Sequence, residues 1–229
     1  MMPHARSPFS LLSIALLSAS LAGAQQGPPL AKPSAAIPAR NIEIHFDPQS
    51  TQIRFKVASL LRDVRGTFQF KGGALAIDPD STLAQGELLV DATTGRTGSA
   101  ARDKELKDEV LETSRYPSIF FHAEHLRGLV PKSNGSSDVI AEGMLTIHGA
   151  DHPIQMKVHL VRVGNTLSAT THFSVPYVEW GMKNPHGTFF HLSKIAQVDV
   201  NAKGTIRTVA TINHGAQSND SDEEQAPPH

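Results

Sequence analysis

The sequence contains no cysteine, one tryptophan and two tyrosines in 229 residues. Without thiols there is no disulfide, no thiol nucleophile and no cysteine-ligated zinc or iron–sulfur centre, so the core must hold by packing alone. Charge is sparse and balanced. There are 21 basic residues against 22 acidic ones, and no run or stripe of lysine and arginine that could track a phosphate backbone. Nucleic acid is therefore not an expected partner. Catalytic signatures are also missing: no Gly-x-Ser-x-Gly elbow, no glycine-rich loop ending in Lys-Ser/Thr, no His-Glu-x-x-His. His148 and His152 stand four apart beside Asp151. That spacing converges on one ion when it lies on a helix, but here it straddles a turn, so no metal site is expected.

The longest apolar run, Phe9 to Leu21, is shorter than the ~20 residues of a membrane span. It follows Arg6 and leads into Ala22-Gly23-Ala24, the small-x-small pattern of a signal-peptidase site. Residues 1–24 thus read as a secretory signal cleaved after Ala24, with the mature protein periplasmic or secreted. Residues 25–40 hold four prolines among Gln, Gly and Ala, which is linker composition. Residues 213–229 are acidic and rich in Ser, Asn and Pro, the composition of a disordered tail. Residues 41–212 remain as one folded domain.

That domain is written in alternation. Ile42, Ile44 and Phe46 form one apolar row; Ile53, Phe55 and Val57 form another; Val64, Phe68 and Phe70 share a parity interrupted by Gly66. Lys71-Gly72-Gly73 is expected to turn the chain into a short strand around Leu75 and Ile77, with Leu88 and Val90 marking the next. Ile119 and Phe121 are assigned to one face of a further strand, with Phe120 and Leu126 on the other. The odd offset of His122 and His125 places them on opposite faces. The clearest hairpin spans residues 141–163, with Leu145 and Ile147 before a Gly-Ala-Asp-His-Pro corner and Ile154, Met156, Val158 and Leu160 after it. Leu167, Ala169, Thr171 and Phe173 follow, and Val198 and Val200 mark the last strand. A single helix is expected over residues 99–112, capped by Ser99, with Leu106, Val110 and Leu111 as its apolar stripe. Residues 175–192 break the period and concentrate Tyr177, Trp180, Met182, Phe189 and Phe190. Irregular segments of that kind often rim a site. Periodicity alone supports a curved antiparallel sheet with one helix.

Five short motifs sharpen this reading. They are Asp47-Pro48-x-Ser50, Val64-Arg65-Gly66-Thr67-Phe68, Arg102-Asp103 with Leu106, Tyr116-Pro117-x-Ile119-x-Phe121, and Gly143-x-Leu145-Thr146-Ile147-His148-Gly149. Together, over residues 41–204, the chain resembles the YceI-like, polyisoprenoid-binding, lipocalin-like family of exported bacterial proteins. The resemblance implies an all-β fold: an eight-stranded antiparallel lipocalin-like barrel with one packed α-helix and a long apolar cavity for an isoprenoid tail. The chain departs from the family pattern at Thr93 to Gly98, which is longer and more polar, and at Tyr177 to Lys183, which lacks the usual charged pair.

The resemblance implies a ligand-binding set of Phe55, Phe68, Leu88, Phe121, Leu145, Ile147, Phe173, Tyr177 and Trp180. Arg102 is added as a planar donor for a polar head group, weighed against a reading in which the Arg102-Asp103 pair makes a helix-to-barrel salt bridge that fixes the helix. The leading expectation is a non-catalytic carrier of an isoprenoid quinone or polyprenol, with no cofactor in the strict sense, contacting membrane transiently and pairing with a second copy. The rival is an interaction module docking an envelope or redox protein through residues 177–190. A third reading, an enzyme using Arg102, Asp103 or His148 as acid or base, ranks last.

Overall fold

The computed structural model describes residues 40–78, 81–185 and 192–210. The expected signal segment, nearly all of the linker, the acidic tail, and Phe189 and Phe190 lie outside these residues. Nine strands form one antiparallel sheet among them: β1 (Arg40–Phe46), β2 (Gln52–Ser59), β3 (Val64–Ile77), β4 (Leu83–Arg96), β5 (Ser118–Arg127), β6 (Gly135–Ile147), β7 (Ala150–Val163), β8 (Thr166–Val175) and β9 (Leu192–Ala210). Consecutive strands pair from β4 to β9, β9 pairs with β2, β2 with β3, and β3 returns to β4, which closes the barrel.

Nine strands make eight lanes because β1 and β2 share one. Both run antiparallel between β3 and β9. β1 pairs with the far half of β3, from Ile42 opposite Ile77 to Phe46 opposite Gly73, and β2 with the near half, from Ile53 opposite Phe68 to Val57 opposite Val64. β9 accompanies both along its length. Residues 47–51 are the kink between them. The Asp47 carboxylate accepts hydrogen bonds from the Gln49 N–H (3.1 Å) and the Ser50 hydroxyl (2.5 Å), and the Thr51 hydroxyl donates to the Asp47 carbonyl at 2.8 Å. The aspartate thus folds its own backbone into a turn, and the Ser50 hydroxyl, followed by the Gln49 N–H, holds its pKa below the ordinary carboxylate value.

Bulges reverse the inward parity in places that alternation could not anticipate. Gly72-Gly73 is no turn: β3 runs straight through it, with a register shift against β4 between Phe70 and Gly72. A Cβ at Gly73 would lie 2.1 Å from the Glu87 carbonyl oxygen, so the two backbones approach closely here and only glycine fits. In β5 a second shift, between Ala123 and His125, brings Leu126 to the same inner wall as Ile119 and Phe121, correcting its expected face. The same shift puts His122 and His125 on one face rather than two. At Gly66 a Cβ would sit 2.3 Å from the Phe55 ring, so the missing side chain lets Phe55 lean onto Phe68, their centroids 5.2 Å apart.

The β6–β7 hairpin turns on two residues, His148 (φ 52°) and Gly149 (φ 75°), with Ile147 opposite Ala150. Both positive φ values are those of a primed turn. The expected five-residue corner is therefore shorter, and Pro153 lies inside β7. It pairs with Met144 on β6, and the β7–β8 ladder begins only at Val158, so its missing N–H removes no bond on that side.

The expected helix is α1 (Ala100–Glu105) followed by one π-helical turn, Leu106–Val110. The Leu111 N–H reaches the Leu106 carbonyl five residues back at 2.9 Å. Widening the turn by one residue brings Leu106, Val110 and Leu111 together on the barrel side. Ser99 makes no side-chain cap. Instead the Asp103 carboxylate accepts from the Thr97 N–H (2.5 Å) and hydroxyl (2.7 Å), a reach-back that anchors the helix start.

Gly98 (φ 78°) has open space where its Cβ would stand, whereas Gly73 (φ 148°) has a carbonyl oxygen there. Gly98→Ala should cost about 1 kcal/mol from backbone strain alone. Gly73→Ala should cost at least twice that and shift the urea midpoint accordingly; equal midpoints for the two variants would contradict the close approach.

Candidate functional site

Inward side chains from all eight lanes surround a cavity of about 310 Å³. Its wall is almost wholly aliphatic and aromatic: Phe46, Phe68, Phe70, Phe121 and Phe173 contribute rings, and Val198 and Val200 of β9 line it beside Phe173. The outer face carries the reverse pattern. Along β7 the inward Met156, Val158 and Leu160 alternate with exposed Gln155, Lys157 and His159. A membrane-spanning barrel shows the opposite arrangement, apolar outside and polar within.

Among the described residues, one end of the barrel is shut and the other is not. At the β7–β8 turn end the core is sealed by Leu167 at 0 %, Val139 at 1 % and Ile44 at 2 % exposure. Toward the helix end the lining residues Val57, Val64, Phe68, Leu106 and Leu192 are only half-buried although they face inward, and Arg102, also on the lining, is exposed. The mouth therefore lies among α1, the β2–β3 connection and residues 176–185. Its polar groups are Thr97, Arg102 and Glu105. Arg102 has no carboxylate partner among the described residues: its Nε–H donates to the Thr97 hydroxyl at 3.4 Å, and Asp103 is held by Thr97 rather than by Arg102. The helix-to-barrel salt bridge considered for this pair does not form among the described residues. A different ion pair, Lys183 with Glu109, ties the helix to the segment after β8.

Of the residues singled out by sequence, Phe55, Phe68, Leu88, Arg102, Phe121, Leu145, Ile147, Phe173 and Tyr177 all border the cavity. Tyr177 is anchored there by its hydroxyl, 2.9 Å from both Asn184 Oδ1 and the Ser193 carbonyl, and burial raises its pKa. Trp180 does not border it. Its ring stacks flat on His152, centroids 4.0 Å apart at 4°, where β7 and β8 part company below Val158 and Thr171. The Thr171 hydroxyl closes part of that seam by donating to the Lys157 carbonyl at 2.9 Å. His148 turns elsewhere: its Nε2 lies 3.1 Å from Glu112 Oε1, and its ring meets Tyr116 edge-on. The two histidines thus have separate partners. Sequence reading omitted Val198, Val200, Phe46 and Met156 from the wall, though strand parity carried that signal. Thr97 falls in the Thr93 to Gly98 stretch, which the family resemblance places near the cavity; for Glu105 no signal existed, because only the packed helix brings it to the mouth.

A closed antiparallel barrel, hollow and apolar inside, polar outside and opening beneath a short helix, defines the class. The model of the YceI-like domain matches residues 45–212, and the chain belongs to that family. Burkholderia cenocepacia BcnA has a similar fold, with a TM-score of 0.60 at 13% identity, covering 70% of this chain and 99% of that one. So does a polyisoprenoid binding domain from Saccharophagus degradans, with a TM-score of 0.57 at 14% identity over 75% and 100% of the two chains. A UPF0312 protein of Vibrio parahaemolyticus is 30% identical over 117 residues, 49% of this chain and 59% of that protein. A UPF0312 protein of Vibrio campbellii is 29% identical over the same length. The chain thus spans about three fifths of these curated relatives.

Burial under Trp180 lowers the His152 pKa, and its Nε2 is buried with no hydrogen-bond partner among the described residues. The neutral ring is favoured in the fold, so its contribution is complete above the unfolded-state value near 6.5 and is lost as pH falls below it. His152→Gln should flatten the decline in melting temperature between pH 7.5 and 5.0; an unchanged pH slope would show that His152 is not its source.

Proposed function

We propose that this protein is a non-catalytic carrier that holds the tail of an isoprenoid quinone or polyprenol in its barrel. The observation that carries the reading is the apolar cavity, which among the described residues is closed at one end and open at the other. A volume near 310 Å³ lies at the lower edge of the ~300–1,000 Å³ range of ligand sites, which suits a slender chain better than a bulky ring system. Lanes of about ten residues at ~3.3 Å each give a sleeve of roughly 30 Å before tilt. Burial is worth about 0.8 kcal/mol per CH₂, so each five-carbon unit gains about 4 kcal/mol before ordering costs are deducted. Membership of the YceI-like family, and the fold shared with a polyisoprenoid binding domain, support the same ligand class.

The polar groups sit where a head group must stay. Arg102, exposed and without a carboxylate partner among the described residues, presents its guanidinium beside Thr97 and Glu105 at the open end. It would meet quinone carbonyls or a phosphate while the tail lies below. The N-terminal 24 residues fit an export signal, and an exported shuttle needs no energy source to hold its cargo, only a dry interior.

The test is native mass spectrometry with solvent extraction on protein purified without detergent. A stoichiometric adduct of isoprenoid mass is the expected result. Ala169 lines the cavity and is only half-buried, so Ala169→Phe should fill the lumen without adding charge. It should reduce retained lipid about tenfold or more, equivalent to about 1.4 kcal/mol, with the melting temperature maintained. An empty wild-type protein that also refuses added quinones and polyprenols would overturn the proposal. In a second assay, Arg102→Ala should weaken uptake of head-group-bearing lipids while leaving a plain isoprenoid hydrocarbon unaffected.

A further inference from the structure

We infer that the β2–β3 tip is a membrane-docking wedge, which seats the open end of the barrel on an anionic lipid surface. Leu60 and Leu61 follow the end of β2 and are 80 % and 75 % exposed, against a chain in which most large apolar side chains are covered. They are held in that position rather than left loose. The Ser59 hydroxyl donates to the Arg62 carbonyl at 2.9 Å and accepts from the Arg62 N–H at 3.2 Å, and the Asp63 carboxylate receives the Ser59 N–H at 3.4 Å. The chain therefore closes behind the two leucines and turns them outward.

Three further observations choose the occupant. The strands bearing the tip contribute lining residues up to its base, Val57 on β2 and Val64 on β3, so the tip stands on the rim of the mouth. Flanking charge is predominantly basic: Lys56, Arg62 and Arg65 surround the leucines, and the one carboxylate, Asp63, is engaged by Arg65 and Ser59. Ile195, the fourth residue of β9 and 43 % exposed, extends the apolar rim onto the next lane. Two leucines on a protruding turn, ringed by cations, match an interfacial bilayer contact, with apolar tips among the acyl chains and basic groups at the phosphates. They are too few for a protein interface, which needs about 800 Å² on each partner. Exposed apolar residues at the closed end, such as Leu129, have no opening beside them. Contact through two side chains is weak and reversible, as a shuttle requires; in this respect the inference deepens the carrier reading and rests on it.

The absence of cysteine makes a site-specific test available. Leu61→Cys and, separately, Leu129→Cys would each carry one environment-sensitive fluorophore on the full chain, in the form in which it accumulates in the expressing cell. With vesicles of phosphatidylglycerol and phosphatidylethanolamine, the label at position 61 should shift to the blue and the label at 129 should not. A shift at 129 alone, or at neither position, overturns docking by this tip. Leu60→Ser with Leu61→Ser should weaken vesicle flotation about tenfold, by analogy with the loss of two buried apolar side chains, and Arg62→Glu should weaken it at low salt only. Uptake of a quinone from detergent solution should be unchanged in both variants, while uptake from vesicles slows. If detergent uptake fails in the wild type, the carrier reading falls, and the fluorophore shift still reports on docking by itself. Flotation unaffected by either variant overturns the inference.

Discussion

Closure of the sheet through the β3–β4 ladder is the constraint on which the rest depends. An eight-lane barrel is just wide enough to be filled by side chains or to hold one slender ligand. Here Leu167, Val139 and Ile44 close one end, and small residues, among them Ala169, Ala196, Val198 and Val200, stand in the wall and leave room between the larger side chains. The same ladder needs tight backbone approach at Gly73 and bulges on either side of it to bend the strands round. Without that curvature the inner faces would lie open, and their apolar surface would have no enclosed volume to line.

The shared lane of β1 and β2 shows how local chemistry serves this closure. β9 is the longest strand and spans both, so the kink at residues 47–51 must absorb extra chain without breaking the ladder on either side. Asp47 does this by hydrogen-bonding its own neighbours, and a short turn replaces what would otherwise be unpaired backbone. At the open end the helix performs the complementary task. Its π turn directs three apolar residues to the barrel while Asp103 and Thr97 fix its start, leaving Arg102 exposed at the mouth. Apolar interior, polar rim and exposed leucines then succeed one another along a single axis, the order a lipid would meet on leaving a bilayer.

Alternating residues determined the all-β class, the strand list and most of the inner wall, because strand side chains have a period of two and one face must be dry. Short motifs around Asp47, Gly66, Arg102 and His148 identified the family, and with it eight lanes and a cavity. The tertiary structure alone decided which residues border that cavity at its ends. A bulge shifts every later side chain by one position, which is why Leu126 faces inward despite its sequence parity. Trp180, grouped by composition with the cavity aromatics, lies on His152 instead, because β7 and β8 diverge where their ladder ends. Thr97, Glu105 and the leucine tip reach one rim only when the sheet closes. Such proximity joins lanes far apart in the chain, and no local pattern of residues records it.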